Sequence, residues 1–483
     1  MTLSKYTELA PGLTISRALT GLWQIADLER DGTKVNPVEA ARHMKAYLDA
    51  GFTSFDMADH YGSAEEITGV FRQTYGSDAE QFFTKWVPSP GKITASQVRE
   101  AVETALTRMK TDQIDLMQFH AWQYAHPSWV DCLFWLQELK NEGLIRNLGL
   151  TNFDTAHLQV VVNSGIEVVS NQVCYSLLDQ RAAGEMTQLC LKHGVKLLAF
   201  GTVAGGFLSE KWLGKPEPVL SESLTWSQMK YKRFIDAAGG WERFQNLLRT
   251  LQPISQKHGV GIATLASHYM LLQPAVAGVI IGARLGKSEH ITENQQLFSI
   301  QLDEADRASI QTSLSSLQKI PGDCGDEYRK APFLTASGDL SHHIDGLPSP
   351  YPTQEGTDGR IKALSGTIWE DIAGFSRAVR KGNHILVSGT TATHGSVQLG
   401  GDDPAAQMHF IIDKVEGAIR SLGGSLEDVV RTRIFVQRAS DWEAISRAHG
   451  QRFAGIQPAN TLVQATLIGD GYLVEMETDA LLS

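Results

Sequence analysis

From residue 14 to about 316, short apolar runs alternate with longer stretches whose apolar positions recur every three or four residues. The runs Ile15–Gln24, Thr53–Met57, Gln81–Trp86, Ile114–His120, Ile145–Thr151, Glu167–Val173, Lys196–Gly201 and Ala277–Gly282 read as strands. The stretches between them, among them Ser96–Lys110 and Ser128–Glu142, read as amphipathic helices. Strict alternation is the signature of βα units around a parallel sheet, and eight units predict a (β/α)8 barrel of the TIM type. A doubly wound sheet is the rival, but no GxGxxG follows the first strand, so a Rossmann-type cofactor site lacks its usual support.

The pattern breaks between Pro321 and Arg360 into Gly, Pro, Ser, Thr and Asp, including Gly346-Leu347-Pro348-Ser349-Pro350-Tyr351-Pro352. Such a stretch is expected to sustain neither helix nor sheet, and it reads as a linker between domains at 1–320 and 361–483. Its tract Tyr328–His343 is less polar than a free tether, so part of it is expected to pack on a domain. Beyond it, Ile361–Glu370 and Ser376–Val387 read as strands, the second folded about the turn Arg380-Lys381-Gly382-Asn383. Pro404–Leu422 reads as a helix, Val429–Gln437 as a strand, Asp441–Phe453 as a helix, and Thr461–Leu467 with Tyr472–Thr478 as a final strand pair. That order predicts a small α+β layer.

Composition narrows the partners. A chain of 483 residues exceeds what one core serves, and 42% hydrophobic with 20% charged residues is ordinary globular composition. A net charge of −11 offers no basic stripe for phosphate, so nucleic acid is not an expected partner. The longest apolar run, Ala275–Ile281, is far short of the roughly 20 residues that span a bilayer, and no signal pattern opens the chain. No membrane partner and a cytoplasmic location are therefore expected. Cys132, Cys174, Cys190 and Cys324 are widely spaced, which predicts buried thiols, no disulfide framework and no metal site.

Asp56, Tyr61, Lys85 and His120 each fall at or just past the C-terminal end of a predicted strand, where barrels carry their chemistry. Reducing a carbonyl by hydride transfer needs an acid for the developing alkoxide, and a phenol can serve if a nearby cation draws its pKa down. Tyr61 is read as that acid and Lys85 as the cation. Asp56 is expected to hold Lys85, and His120 to orient the substrate oxygen.

These residues lie in Phe55-Asp56-Met57-Ala58-Asp59-His60-Tyr61-Gly62, in Phe82-Phe83-Thr84-Lys85-Trp86 and before Ala121. Together with Gly149-Leu150-Thr151-Asn152-Phe153, they make residues 14 to about 316 resemble the aldo-keto reductase family. The resemblance implies NADPH, with NADH as the alternative, and a small aldehyde or ketone, or the matching alcohol in reverse. It implies that Thr151, Asn152 and Gln172 meet the nicotinamide carboxamide and that Phe200 stacks on its ring. It implies that Gly282, Ala283 and Arg284, with Asn294, receive the 2′-phosphate, although the connection between Arg284 and Asn294 is longer than the family pattern. Trp23, Trp86 and Trp122, with His60 and Tyr124, are expected to line the substrate pocket, and Glu210–Gly240 to cover it.

Residues 361–483 resemble the RidA/YjgF family through Ile385-Leu386-Val387-Ser388-Gly389, Gly423-Gly424-Ser425-Leu426-Glu427-Asp428, Gln457-Pro458-Ala459-Asn460-Thr461 and Val474-Glu475-Met476-Glu477. Active members hydrolyse enamines or imines in clefts between the subunits of a trimer. Here Asn460 stands where they carry a carboxylate-clamping Arg, and Phe375 replaces the cleft Tyr, while Glu475 remains. The tail therefore reads as a binding or oligomerising module that makes the chain a homo-oligomer, expected as a trimer. A bifunctional reductase with imine hydrolysis and an NADPH-binding redox sensor are the two rivals.

Overall fold

The computed structural model describes residues 3–77, 79–221 and 223–483. An antiparallel hairpin, β1 (Tyr6–Ala10) and β2 (Leu13–Ser16), comes first. Eight parallel strands then close a barrel: β3 (Ala18–Gly21), β4 (Ser54–Asp56), β5 (Gln81–Trp86), β6 (Leu116–Phe119), β7 (Leu148–Thr151), β8 (Val168–Cys174), β9 (Lys196–Phe200) and β10 (Val276–Gly282), with β10 against β3. All eight expected strands are present, with helices between them.

The first strand is the exception in extent. The run Ile15–Gln24 is cut at Arg17, whose guanidinium donates to the carbonyls of Leu271, Val276 and Ala277, and a helix begins at Trp23. The break lets the hairpin fold beneath the barrel. There Leu9, Leu13 and Ile15 pack with Leu19, Phe83, Leu116 and Leu198 in a separate apolar cluster that plugs the floor. Chemistry is thereby confined to the opposite mouth.

The tail holds β11 (Thr353–Glu355), β12 (Arg360–Ala363), β13 (Ala378–Lys381), β14 (His384–Thr390), β15 (Thr393–His394), β16 (Val397–Gln398), β17 (Val429–Val436), β18 (Ala459–Gln464) and β19 (Val474–Leu481). Seven of these form one sheet in the order β11-β12-β13-β14-β19-β17-β18. The expected turn is in place, with Lys381 paired to His384. Three expectations change. The segment 321–360 is not devoid of structure, because Thr353–Glu355 pairs with β12 and the turn Asp326–Arg329 is helical. Ile361–Glu370 is strand only to Ala363; Ile368–Ala373 forms a short helix closed by Gly374 in the left-handed region. β18 and β19 do not pair with each other, since β19 inserts between β14 and β17 and β18 joins β17 in parallel.

The helix Pro404–Ser421 is buried almost all round, as a helix with apolar residues on every face must be. One side covers the tail sheet, and the other meets the barrel helix Thr155–Asn163. Gly417 makes the approach possible, because a side chain there would strike the Ala125 carbonyl and Tyr351. At the centre of this seam, His157 Nδ1 lies 2.5 Å from Asp154 and Nε2 lies 3.0 Å from Asp413, which also pairs with Arg452 at 2.8 Å. The Tyr124 ring stacks on the imidazole at 3.3 Å between centroids.

Burial would lower the His157 pKa, but the carboxylates of Asp154 and Asp413 outweigh it and hold it above 6.5. Asp154, despite burial, is held below 3.8 by His157. The imidazolium's contribution to stability is therefore complete below pH 6.5 and falls as pH rises through the elevated value, and on the acid side it persists until Asp154 protonates. Asp413→Ala should cost about 3–5 kcal/mol in denaturant unfolding at neutral pH, because it takes one carboxylate from each of two buried cations and leaves His157 only Asp154 and Arg452 only Glu416, and should flatten the alkaline decline. An unchanged midpoint and pH profile would show that the seam contributes nothing.

Candidate active site

The C-terminal ends of four strands converge on one buried carboxylate. Asp56 on β4 receives Lys85 Nζ from β5 at 2.6 Å, Gln172 Nε2 from β8 at 2.7 Å and Gln118 Nε2 from β6 at 3.1 Å. Gln172 also donates to Gln118 Oε1 at 2.9 Å, and Lys85 donates to the Met57 carbonyl at 2.8 Å. A charge this far from water needs such partners. Burial lowers the Lys85 pKa, and the pairing with Asp56 opposes the drop without cancelling it.

Tyr61 stands beside this pair, with Lys85 Nζ 4.8 Å from the centroid of its ring and Trp23 edge-on at 5.0 Å. The expected drop in its pKa is not found. Burial pushes the phenol well above 10, and Asp56, Tyr328 and Asp339 push it further, while the Lys85 ammonium donates to Asp56 and to the Met57 carbonyl. His120 is buried, and apart from a contact with the Thr151 backbone neither ring nitrogen has a hydrogen-bond partner among the described residues. Burial, then Arg329, holds its pKa well below 6.5, so at neutral pH the uncharged ring presents one donor and one acceptor.

These groups form one end of a cavity of about 710 Å³ whose walls also include Thr151, Asn152, Gln172, Phe200, Gly282, Arg284 and Asn294. Trp23 and Trp122 are on its wall, and so are Glu210, Lys230 and Tyr231 from the segment expected to cover it. Three expected residues lie elsewhere. Trp86 is buried against Phe119 at 5.6 Å, and Ala283 is turned inward with its amide bonded to the Gly21 carbonyl. Tyr124, too, is taken up by the seam.

The longer connection after Arg284 folds as a tight turn, with Arg284 bridged to Ser288 and Gly286 at φ +75 tight against His43. This keeps Arg284 at the cavity, where Asp27 lies 3.7 Å from Nη2 and Nε has no partner among the described residues. A nicotinamide dinucleotide fits the donors present. Asn152, in left-handed backbone at φ +59, leaves a buried Oδ1 without a donor at one end, and Arg284 leaves a buried N–H at the other.

In the tail, Phe375 lies against Arg377 at 5.7 Å, and the Arg377 charge acts on Glu475. Asn460 does not join them. It pairs with Thr432 and donates to its hydroxyl, whereas Glu475 pairs with Phe435, three residues along β17 and therefore on the other face of the sheet.

Sequence reasoning passed over Gln118, Lys230, Tyr328 and Asp339. Gln118 was within reach, because it sits two positions before His120 on one strand face. Lys230 lies on the buried side of the helix Trp226–Ala237, and Tyr328 and Asp339 lie in the segment read as linker, where no local pattern marks them.

Residues 19–314 match the family described as Aldo/keto reductase family, and 368–482 match the family described as Endoribonuclease L-PSP, which bears out the RidA-like reading of the tail. An uncharacterized oxidoreductase, YqkF, of Bacillus subtilis (strain 168) is 30% identical over 277 residues, 55% of this chain and 83% of that protein. The NADH-specific methylglyoxal reductase of Escherichia coli (strain K12) is 25% identical over 232 residues, 47% of this chain and 67% of that protein. The structure of the glycerol dehydrogenase of Gluconobacter oxydans superposes with a TM-score of 0.54 at 20% identity, over 66% of this chain and 98% of that one, which is a likeness of fold. With the match extending over more than half its length, this chain belongs to the aldo/keto reductase family and carries a RidA-like domain at its C-terminus.

Proposed function

We propose that residues 1–320 form an oxidoreductase unit that reduces a small aldehyde or ketone, or oxidises the matching alcohol, with Tyr61 as the proton donor. The observation that carries this reading is the meeting of Asp56, Tyr61, Lys85 and His120 at one end of one cavity. A bound nicotinamide would supply the hydride, and the unpartnered Asn152 Oδ1 would hold its carboxamide beside Thr151 and Gln172. Phe200 offers a ring face for stacking.

The neutral His120 ring donates to the carbonyl oxygen and fixes its direction. Tyr61, kept protonated by its surroundings, gives its proton to the oxygen as negative charge builds there, and the Lys85 ammonium stabilises the phenolate left behind. Asp56 holds Lys85 through this change. Arg284 favours a 2′-phosphate and hence NADPH, while the relative named for NADH specificity makes NADH the competing choice.

The tail, residues 361–483, serves as an oligomerising or binding module. Leu386, Val463 and Leu481 lie exposed on the sheet face turned away from the helices, which suits association between copies into a trimer. The segment 321–360 joins the two.

Tyr61→Phe should lower turnover of carbonyl substrates with NADPH by about 10²–10⁴-fold and leave cofactor affinity nearly unchanged, measured by absorbance loss and by fluorescence titration. Lys85→Met should cost about 3–5 kcal/mol of stability as well as activity, because it leaves Asp56 charged and buried, and thermal unfolding would show it. Light scattering should give three times the chain mass, or a multiple of it, and a monomeric mass would refute the assembly.

A further inference from the structure

Resting on the reductase reading, we infer that Lys230, Tyr328 and Asp339 form a hydroxyl-reading subsite, and that the substrate is a neutral, polyhydroxylated aldehyde or ketone. The helix Trp226–Ala237 buries Lys230 at the cavity wall. Its ammonium donates to Tyr328 Oη at 2.6 Å, lies 3.3 Å from the Asp339 carboxylate and is 5.1 Å from the centroid of the Phe200 ring. Tyr328 in turn packs against His120 at 5.5 Å, so the cluster adjoins the proposed reaction centre.

Two of the three residues lie beyond the matched stretch 19–314. The segment that carries them is firmly seated. Arg329 donates to the carbonyls of Ala121 and Asn152 at 2.8 and 2.7 Å, and Glu327 pairs with Arg181 at 2.8 Å. The pocket is thus completed by the chain that connects the two domains.

Charge and hydrogen-bonding capacity choose among substrates. Lys230 is cancelled by Asp339, as Lys85 is by Asp56, and the Arg329 guanidinium is turned to the Ala121 and Asn152 carbonyls outside the cavity lining, so the wall at this end presents no unpaired charge to a carboxylate or an amine. What the cluster offers is an acceptor, a donor and a hydroxyl within one hydrogen-bonded group, the complement of substrate hydroxyls, which both give and accept. The faces of Trp23 and Trp122 nearby suit the C–H surface of a carbon chain. A substrate without hydroxyls would displace water from these groups and leave them unpaired, which is the strongest form of rejection a pocket has.

The test compares kcat/KM for glyceraldehyde, propionaldehyde and succinic semialdehyde in wild type, in Tyr328→Phe and in the double variant Lys230→Met/Asp339→Leu, which removes both charges together and strands neither. Wild type should prefer glyceraldehyde to propionaldehyde by a hundredfold or more, and the double variant should lose at least tenfold of that ratio, with a smaller loss in Tyr328→Phe. A wild-type preference for the carboxylated aldehyde, or an unchanged ratio in the double variant, would overturn the subsite. If no aldehyde turns over, calorimetric titration with xylitol decides. Binding by wild type that the double variant lacks keeps the subsite while the reductase reading falls, and no binding by wild type overturns both.

Discussion

The carboxylate of Asp56 is the point on which the mouth of the barrel depends. It is drawn out of water at the end of β4 and is tolerable there only because β5, β6 and β8 each send a donor to it. Those hydrogen bonds tie four strands at the end where a barrel is otherwise open, and they fix the Lys85 ammonium under the face of Tyr61. Closure of the sheet sets which residues meet, and the buried charge sets how accurately they are held. His120, whose ring nitrogens find no side-chain partner among the described residues, remains free to bind something else.

The strands and the four side chains proposed for the reaction were legible because they depend on local signals: apolar runs of strand length, each ending in a polar residue at the same place in the repeat. What was not legible depends on contacts between distant parts of the chain. Arg17 breaks the first strand because of carbonyls some 260 positions later, and nothing near residue 17 announces them. Trp86 and Tyr124 resemble pocket aromatics by position, but Phe119 claims one and His157 the other. The Tyr61 pKa was misjudged for a related reason, since presence of a cation was inferred correctly while the burial that outweighs it required coordinates.

The connecting segment shows the same limit more sharply. Its Gly and Pro content does forbid long helices, but Tyr328, Arg329 and Asp339 find partners on the barrel without needing any regular structure of their own. Composition reports what a segment cannot form and is silent on what it can touch. The same holds for the tail, where the residue types of a cleft are identifiable in sequence, yet the register of β17 sends Asn460 and Glu475 to opposite faces.

The seam between the domains has a consequence for biosynthesis. His157 and its partner Asp413 are separated by 256 positions. At a translation rate of roughly 5–20 residues per second, the barrel helix leaves the ribosome some 10–50 s before the side chain that completes its seam. During that interval Tyr328 and Asp339 are missing as well for much of the time, and the cavity lacks part of its wall. The nascent barrel is therefore an incomplete enzyme with an exposed acidic and aromatic patch, and the final third of the chain finishes both its surface and its pocket as it arrives.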